Sequence, residues 1–319
     1  MSRFSFDLVD EGQAIDFWQD SPYGNVFTHP EVLNRLSPGL EWWMARKGRE
    51  PYCLWPVCLQ DHATVKLPGF TYYIGPMWSK AGANIPIHSW LADHMGAYTG
   101  LSSILIEKHG QIHAQLPLGL LDVRAFAWWN YHLPQSPKFR ILPRYTALIR
   151  HLQKISPEDI QDGFRPVRRK EIRRLLRKDM PERAFDWDQE ELSQFYCREL
   201  SQQRLSVPKE TREQIETIIA LALQGWGEVL AFREPDSLSL ASALVILSAK
   251  GASNMVLNAT VKKWRAQGLS AWTIYNGILA ARELGDHACD FNGANSPDRG
   301  DDKHSYGAEP WLFFELRYP

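Results

Sequence analysis

EVLAFREPDSLSLASALVILSA, residues 228–249, contains the clearest fold signal in this 319-residue chain. Two largely apolar runs, Glu228 to Arg233 and Ser239 to Ala249, flank the polar segment EPDS. Apolar runs of this length on either side of a turn signal predict a β-hairpin. A strand is also predicted from Ser253 to Thr260, so the hairpin should belong to a larger sheet.

The elements before this hairpin occur twice along the chain. In the second half they are Phe185-Asp186, a helix capped near Asp188, and a helix opening at Pro208. In the first half they are a strand at Phe6-Asp7, a helix at Ala14–Trp18, a helix at Thr28–Leu36 with Thr28 as its N-cap, and hairpin strands at Glu41–Arg46 and Tyr52–Gln60. An Arg-Glu-Pro triplet marks each hairpin, at Arg49–Pro51 and Arg233–Pro235. The shared order predicts a tandem duplication.

The hydrophobic patterns in the rest of both halves predict further helices and strands. They predict helices at Asp93–Ile106 and Leu269–Leu284 and strands at Ile112–Leu116, from Leu142, at His287–Phe291 and at Trp311–Tyr318, with a polar loop before the last strand. Strands alternating with helices, together with an antiparallel hairpin, indicate an α/β (mixed α+β) fold. We divide the chain into an N-terminal domain (1–155), a basic helical connector (156–184) and a C-terminal domain (185–319).

Composition limits the class of protein. A net charge of −1, with 44% hydrophobic and 23% charged residues, is typical of a globular protein, and the length favours two domains. The longest apolar stretches fall short of the ~20 residues that a transmembrane helix needs. The first residues lack the pattern of a secretory signal, and the four cysteines form no Cys-x-x-Cys pair, so we expect a cytoplasmic protein with reduced thiols.

The order of a strand, two helices, a hairpin, a strand, a helix and a strand resembles the GNAT acyltransferase fold, and two copies in one chain resemble the FemAB-like branch. Several local strings support this resemblance. The strings are SPYGNVFTHPEVL (21–33), PGFTYYIGP (68–76), Arg144-Tyr145-Thr146, the basic helix from Arg168, and Asp290–Gly293 followed by Tyr306–Pro310. The resemblance implies two tandem GNAT-like domains, each a mixed, mostly antiparallel sheet flanked by helices. It also implies acyl transfer as the activity.

The resemblance leaves three functions open. The first is a bacterial-type N-acetyltransferase or related enzyme that moves an acyl group from acyl-CoA to an amine or hydroxyl of a small, nucleotide-linked or cell-envelope-related acceptor. The second is an aminoacyl-tRNA-dependent FemAB-type peptidyltransferase. Such ligases often carry a long coiled-coil arm, for which residues 185–226 are too few, and this favours the thioester donor. The third is a catalytically silent scaffold with two GNAT-like domains.

The segment Arg265-Ala-Gln-Gly268-Leu-Ser270 is the candidate coenzyme A loop. GNAT enzymes hold the coenzyme A pyrophosphate on backbone N–H groups at a helix N-terminus, next to an open V between neighbouring strands. Arg265, Gly268 and Ser270 match the spacing of that loop directly before an apolar helix. A glycine-containing loop before a helix is also common in proteins without coenzyme A.

Residues 165–178 form a basic segment with a net charge of +7. Ile172, Leu175 and Leu176 are spaced for one helical face, so the other faces present the charge. Arg169 and Arg173 are candidate contacts to phosphates of tRNA or of a nucleotide-linked substrate. The alternative is a solvated helix that only keeps the protein soluble.

Asp290-Phe-Asn-Gly-Ala-Asn295 ends a predicted strand and is the candidate catalytic loop. Open α/β sheets place ligands at such strand ends. Asp290 could orient or deprotonate the acceptor, with Asn292 and Asn295 as hydrogen-bonding partners, and the hydroxyl of Tyr145 could protonate the leaving group. Asp290 could equally cap a turn.

The remaining candidates are contacts to substrate in the first half. Arg144 suits an anion, Tyr72 and Tyr73 lie near a strand end, and Trp128 belongs to the aromatic cluster WWNY. No metal site is predicted, because His109 and His113 lack the glutamate of a metalloprotease helix and Lys303 occupies the required glycine of a calcium loop. We find no Gly-x-Ser-x-Gly, Walker or dinucleotide motif, and expect no DNA partner.

Overall fold

A computed structural model describes residues 3–60, 64–177, 180–202 and 206–319 of the chain. The fold divides into two compact units. Unit 1 comprises Met1–Arg144 and Leu312–Pro319, and unit 2 comprises Tyr145–Trp311. These limits differ from the segments derived from the sequence, because the basic connector lies inside unit 2 and the last strand ends in unit 1.

Unit 1 contains most of the elements of the first half. In chain order these are β1 (Phe4–Val9), α1 (Glu11–Asp20), α2 (Pro30–Leu36), β2 (Gly39–Lys47), β3 (Glu50–Gln60), β4 (Thr64–Val65), β5 (Met77–Trp78), α3 (Lys80–Ala83), α4 (Ile87–His109), β6 (Ile112–Gln115), α5 (Arg124–Ala127) and the start of β7 (Arg140–Arg150). The strands follow the order β1-β2-β3-β4, with β5 on β3. Trp43, Trp55 and Trp78 are buried in the core of this unit.

Unit 2 begins within β7. Its elements are α6 (Pro157–Asp162), α7 (Pro166–Leu175), β8 (Glu182–Ala184), α8 (Gln189–Ser201), α9 (Lys209–Leu221), β9 (Gly227–Arg233), β10 (Leu240–Ala249), β11 (Ala252–Thr260), α10 (Lys262–Arg265), α11 (Leu269–Glu283), β12 (Ala288–Asp290), α12 (Pro297–His304) and the start of β13 (Glu309–Tyr318). The strands follow the order β7-β12-β11-β10-β9-β8. Only β11 and β12 are parallel to each other in this set.

The predicted fold class is confirmed, since unit 2 is a mixed, mostly antiparallel sheet with helices against it. Both units contain the predicted order of a strand, two helices and a hairpin, namely β1-α1-α2-β2-β3 and β8-α8-α9-β9-β10. The Arg-Glu-Pro triplets differ in position. Glu50 and Pro51 begin β3, whereas Glu234 and Pro235 belong to the turn before β10.

Two local predictions were wrong. Thr28 does not cap α2: it ends a 3₁₀ turn capped by Asn25, and its hydroxyl oxygen accepts from the Asn25 N–H at 3.0 Å. The polar segment after Phe291 contains helix α12, which begins at Pro297 behind the N-cap Ser296. Both errors concern helix starts, where a proline at the first helical position was the better signal.

Two further features bear on function. β13 continues past Trp311 into unit 1, where Glu315–Tyr318 pair antiparallel with Ile112–Gln115 of β6. Among the residues that the structure describes, no helix is both long and apolar enough to cross a bilayer.

Candidate active site

The parallel strands β11 and β12 diverge in unit 2. They pair only over Ala252–Asn254 and Ala288–Asp290, while β11 continues to Thr260. The chain after Asp290 stays beside β7, with which β12 already pairs, and the Phe291 N–H donates to the Ala147 carbonyl at 2.9 Å. The two backbones therefore form a V, and its apex is at Asp290.

A β-bulge lies on β11 beside the apex of this V. Val245 of β10 faces Leu257, but its neighbour Ile246 faces Met255, so Val256 has no opposite residue. A bulge interrupts the ladder of hydrogen bonds and redirects the backbone locally. Backbone N–H groups released in this way can polarise a carbonyl oxygen of a bound substrate.

Asp290 anchors the loop that leaves the V. The residue is only 2% exposed, and its Oδ1 accepts hydrogen bonds from the Thr146 hydroxyl and, at 2.7 Å, from the Asn292 N–H. A buried carboxylate needs such donors, because an unpaired charge would be costly in this setting. Asp290 thus holds β7 and the loop together at the apex.

Asn292 spans the V from its loop to β11. Its Nδ2 donates to the Met255 carbonyl at 3.0 Å, next to the bulge at Val256. The backbone has φ = +56°, a left-handed conformation that asparagine tolerates better than most residues. The Oδ1 atom of Asn292 is buried and has no hydrogen-bond partner in the described part of the chain.

Lys303 of α12 supports this loop and is not among the site residues predicted from the sequence. Its Nζ donates to the carbonyl oxygens of Asn292 and Gly293, the latter at 2.8 Å. Burial lowers the pKa of Lys303 to about 8. The Ser296-Pro297 start of α12 was the signal that could have placed a lysine behind the loop.

Tyr145 and Asn295 complete the group at this end of β7. Asn295 Oδ1 accepts from the Tyr145 N–H at 2.7 Å, and the Tyr145 side chain is 46% exposed. The structure therefore brings together the four residues selected around the candidate catalytic loop, Asp290, Asn292, Asn295 and Tyr145. Their roles in catalysis stay a prediction.

Comparisons with known proteins identify the fold. No family model and no curated protein matches the sequence. Among solved structures, FemX is 12% identical, with 97% of this chain and 96% of FemX covered at a TM-score of 0.63. A tandem GNAT protein from the clavulanic acid biosynthesis pathway is 11% identical, with 99% and 98% covered and a TM-score of 0.57. L-PGS from Bacillus licheniformis is 13% identical, with 98% and 92% covered and a TM-score of 0.57.

The chain has the tandem GNAT fold. This confirms the resemblance drawn from the sequence at the level of fold. An acetyltransferase of the GNAT family from Colwellia psychrerythraea is also similar in fold, with a TM-score of 0.51 at 8% identity.

The candidate coenzyme A loop of this tandem GNAT fold is covered. Gly268 has φ = +104°, and a Cβ added there would lie 2.5 Å from the Glu171 carbonyl oxygen of α7. Gly268 and Leu269 are buried, and Ser270 is half-buried. Arg265 turns its guanidinium back to the Thr260 carbonyl at 2.8 Å. Helix α7 therefore packs against this loop at Gly268, and the role of the loop as a coenzyme A site stays a prediction.

Several of the arginines at the start of α7 form ion pairs within unit 2. Arg165 pairs with Asp301 at 2.6 Å, and Arg168 pairs with Asp302 at 2.5 Å, both on α12. Arg169 lies 3.5 Å from Asp162. Arg173 remains exposed, with its Nε donating to the Arg169 carbonyl at 3.3 Å. Lys178, the end of the predicted basic segment, lies outside the described residues.

The other candidate contacts belong to unit 1, where the ring centroids of Tyr72 and Tyr73 lie 6.0 Å apart. Tyr73 is 3% exposed, and its ring packs edge-on against Phe313 at 5.0 Å. Tyr72 is half-buried, with its ring 6.0 Å from that of Phe27. Arg144 donates to Glu315 at 2.8 Å. Trp128 is 46% exposed, beneath the guanidinium of Arg124.

The described residues include histidine, cysteine and acidic side chains of the kinds that bind metal ions. Within those residues, no group of three His, Cys, Asp or Glu side chains is arranged to hold a metal ion. His109 lies 3.0 Å from Glu41, and His113 lies 3.3 Å from Glu315. Each of these histidines therefore has a carboxylate partner.

Proposed function

We propose that this protein is an acyltransferase whose reaction centre is the V between β11 and β12 in unit 2. The substrates would be an activated acyl donor, acyl-CoA first among them, and an amine or hydroxyl of a small or cell-envelope-related acceptor. The bulge at Val256 beside the apex of the V carries the proposal. A bulge leaves backbone N–H groups outside the ladder of strand hydrogen bonds, and such groups could polarise the acyl carbonyl at the point where the two strands separate.

In this proposal the protein positions the reactants and polarises the acyl carbonyl. The acceptor attacks that carbonyl directly, so no nucleophilic side chain is needed. The exposed hydroxyl of Tyr145 is the candidate proton donor to the leaving group. Asp290 acts as a positioning residue, because its buried carboxylate contacts Thr146 and the Asn292 backbone.

Replacing Asn292 by glycine tests the proposed centre. Glycine accepts the positive φ but removes the amide that spans the V, so turnover should fall at least tenfold while the fold is retained. The assay follows free-thiol release from acetyl-CoA and longer acyl-CoA thioesters with a panel of amine and sugar acceptors. Mass spectrometry identifies the product.

The matched control is Lys250→Gly, which replaces another residue of positive φ in an exposed turn. It should leave turnover at the wild-type level. An active Asn292→Gly variant would place the reaction elsewhere. If no donor, aminoacyl-tRNA included, gives acceptor-dependent product with the wild-type chain, the silent scaffold becomes the better description.

The second candidate function, aminoacyl-tRNA-dependent transfer, is favoured by the surface of α7. Lys170 and Arg173 lie three residues apart on this helix and are both exposed, beside the covered coenzyme A loop. Exposed cations on a helix can bind phosphates without using the N-terminus of α11. Against it, α8 and α9 have 13 residues each and form no long arm.

The double variant Lys170→Glu/Arg173→Glu tests this second function. If α7 contacts tRNA, retention of a pool of aminoacyl-tRNAs on filters at low salt should fall at least tenfold. The control is Lys209→Glu/Lys262→Glu, which changes the net charge equally at two other exposed sites. Equal retention by both double variants, or no retention by the wild type, would reject a tRNA site on α7.

A further inference from the structure

An exposed apolar surface lies on unit 1 around α5. Of the twelve large apolar side chains that are exposed in the described part of the chain, four fall within one short segment. These four, which together form the apolar tip, are Leu121, Trp128, Tyr131 and Leu133. Exposed apolar side chains scattered singly are ordinary, but several gathered in one segment mark an interaction surface. The proposed reaction centre in unit 2 uses none of these residues.

A closed loop carries two members of the apolar tip. Asn130 Nδ2 donates to the Pro137 carbonyl at 2.8 Å and joins the ends of residues 130–137. Inside the loop, the Leu133 N–H donates to the Asn130 carbonyl at 2.9 Å. These bonds order the backbone, so Tyr131 and Leu133, which are 64% and 55% exposed, are presented at little further cost in conformational entropy.

Aromatic residues of the core anchor this loop at both ends. Trp129, just before the loop, packs edge-on against Phe139, just after it, with ring centroids 5.7 Å apart. Both rings also contact that of Tyr318, at 6.3 and 5.2 Å. Phe139 is buried and Trp129 half-buried, whereas Trp128 and Tyr131 are exposed. Packing of unit 1 accounts for the inner rings and leaves the outer ones without a structural role.

The charge beside the apolar tip is positive. Residues 121–140 contain one acid, Asp122, and three cations, Arg124, Lys138 and Arg140. The acid is already paired, with Nε of Arg124 3.0 Å from its Oδ1. Lys138 and Arg140 are exposed and have no ion-pair partner among the described residues. This surface therefore has two cations available for an anionic partner.

An anionic lipid bilayer matches both properties of the surface. Tryptophan and tyrosine are enriched where a bilayer meets water, because their rings are apolar and their N–H or O–H stays hydrated. Segments that bind bilayers from one side combine such rings and leucine with lysine or arginine. Lysine is depleted in protein interfaces, whereas each lysine or arginine near an anionic membrane adds to its affinity. The pairing of apolar and basic residues thus favours lipid over a protein partner.

We propose that the apolar tip docks unit 1 on the surface of an anionic lipid bilayer. Tyr131 and Leu133 enter the boundary between headgroups and acyl chains, and Lys138 and Arg140 contact the lipid phosphates. Attachment by a few side chains and two charges is reversible and weakens with salt. This docking does not depend on the acyl-transfer proposal.

Sedimentation with lipid vesicles tests the docking surface. The full-length chain should bind vesicles of equal parts phosphatidylglycerol and phosphatidylcholine at low salt, and pure phosphatidylcholine at least tenfold more weakly. Tyr131→Ser/Leu133→Ser should weaken binding to the anionic vesicles at least tenfold, because two apolar side chains no longer enter the bilayer. Lys138→Gln/Arg140→Gln should lower the preference for anionic vesicles at least fivefold.

The matched control is Phe185→Ser/Leu238→Ser, which removes two exposed apolar side chains of unit 2 and should bind as the wild type does. A fluorescent label reports insertion directly. The four native cysteines are buried, so Leu133→Cys can be labelled at a single site with an environment-sensitive dye. Its emission should shift to the blue on anionic vesicles, whereas the same dye on Leu238→Cys should not respond.

The comparison of the two vesicle types on the wild-type chain needs no variant, so a folding defect in a variant leaves the test intact. No binding of anionic vesicles at low salt would overturn the docking. Unchanged binding by Tyr131→Ser/Leu133→Ser would place the lipid contact elsewhere and reject the apolar tip. If light scattering instead shows a wild-type oligomer that this variant converts to a monomer, without a blue shift on vesicles, the surface is a protein interface and the lipid proposal is wrong.

Discussion

Replacing Gly268 by alanine is expected to lower the free energy of unfolding of unit 2 by about 3 kcal/mol. Alanine at φ = +104° is strained, and its Cβ would lie 2.5 Å from the Glu171 carbonyl oxygen. Backbone atoms of α7 cannot rotate away as a flexible side chain can. Calorimetry should therefore show the transition of unit 2 lowered by roughly 5 to 10 °C.

Gly285→Ala is the matched control for Gly268→Ala. Gly285 also has a positive φ, +83°, but a Cβ there meets nothing within 4 Å. Its replacement should cost only the backbone strain, about 1 kcal/mol. Equal losses in the two variants would mean that α7 does not press on Gly268 in solution. The loop would then be more open to a pyrophosphate than the structure shows.

Glu315→Gln is expected to reduce the free energy of unfolding of unit 1 by about 2 kcal/mol at pH 7. Hydrogen bonds from His113, Arg144 and Arg317 hold the pKa of the Glu315 carboxyl at about 2. The expected loss of about 2 kcal/mol is smaller than the pKa shift of Glu315 alone would give. The reason is that the side chains of Arg144 and Arg317 are 34% and 50% exposed, so water screens their charges.

The sign of the pH dependence follows from the depressed pKa. The folded state favours the ionised carboxyl, so this stabilisation is complete above the unfolded pKa near 4.5 and is lost as pH falls toward 2. Urea unfolding at pH 7, 4 and 3 should show the wild type approaching Glu315→Gln as the pH decreases.

Glu309→Gln provides the comparison for Glu315→Gln. Glu309 is 60% exposed and pairs with Arg150 at 2.8 Å. An exposed ion pair contributes at most about 1 kcal/mol, so this variant should remain close to the wild type at every pH. A Glu315→Gln loss no larger than that of Glu309→Gln would contradict the buried network.

The sequence predicted most of the sheet strands because their signals are local. The hairpin of β9 and β10 has apolar strands on either side of a polar turn, and these residues carry the pattern wherever the rest of the chain lies. The same holds for the capping aspartate of α8, Asp188, which accepts from the Glu191 N–H at 2.8 Å. The duplicated order could therefore be read without any knowledge of packing.

The site depends on contacts between distant residues, which local patterns do not contain. Asp290 was selected, but its partner Thr146 is 144 residues away, and their bond is what makes the carboxylate an anchor. Gly268 matched a phosphate loop, yet the close approach of Glu171 gives a different reason for a glycine there. In the sequence, Lys303 only excludes a calcium loop, because the polar pattern after Phe291 predicts a loop where the structure has α12.

The position of β13 at the end of the chain determines when unit 1 can complete its strand pairing during synthesis. Its residues Glu315–Tyr318 supply the partner of β6 in unit 1, although they follow all of unit 2 in the chain. During synthesis, a ribosome must therefore translate the whole of unit 2 before the β6 edge in unit 1 gains its strand. That edge stays open to other chains until then, and a fragment that stops before Leu312 would carry it permanently.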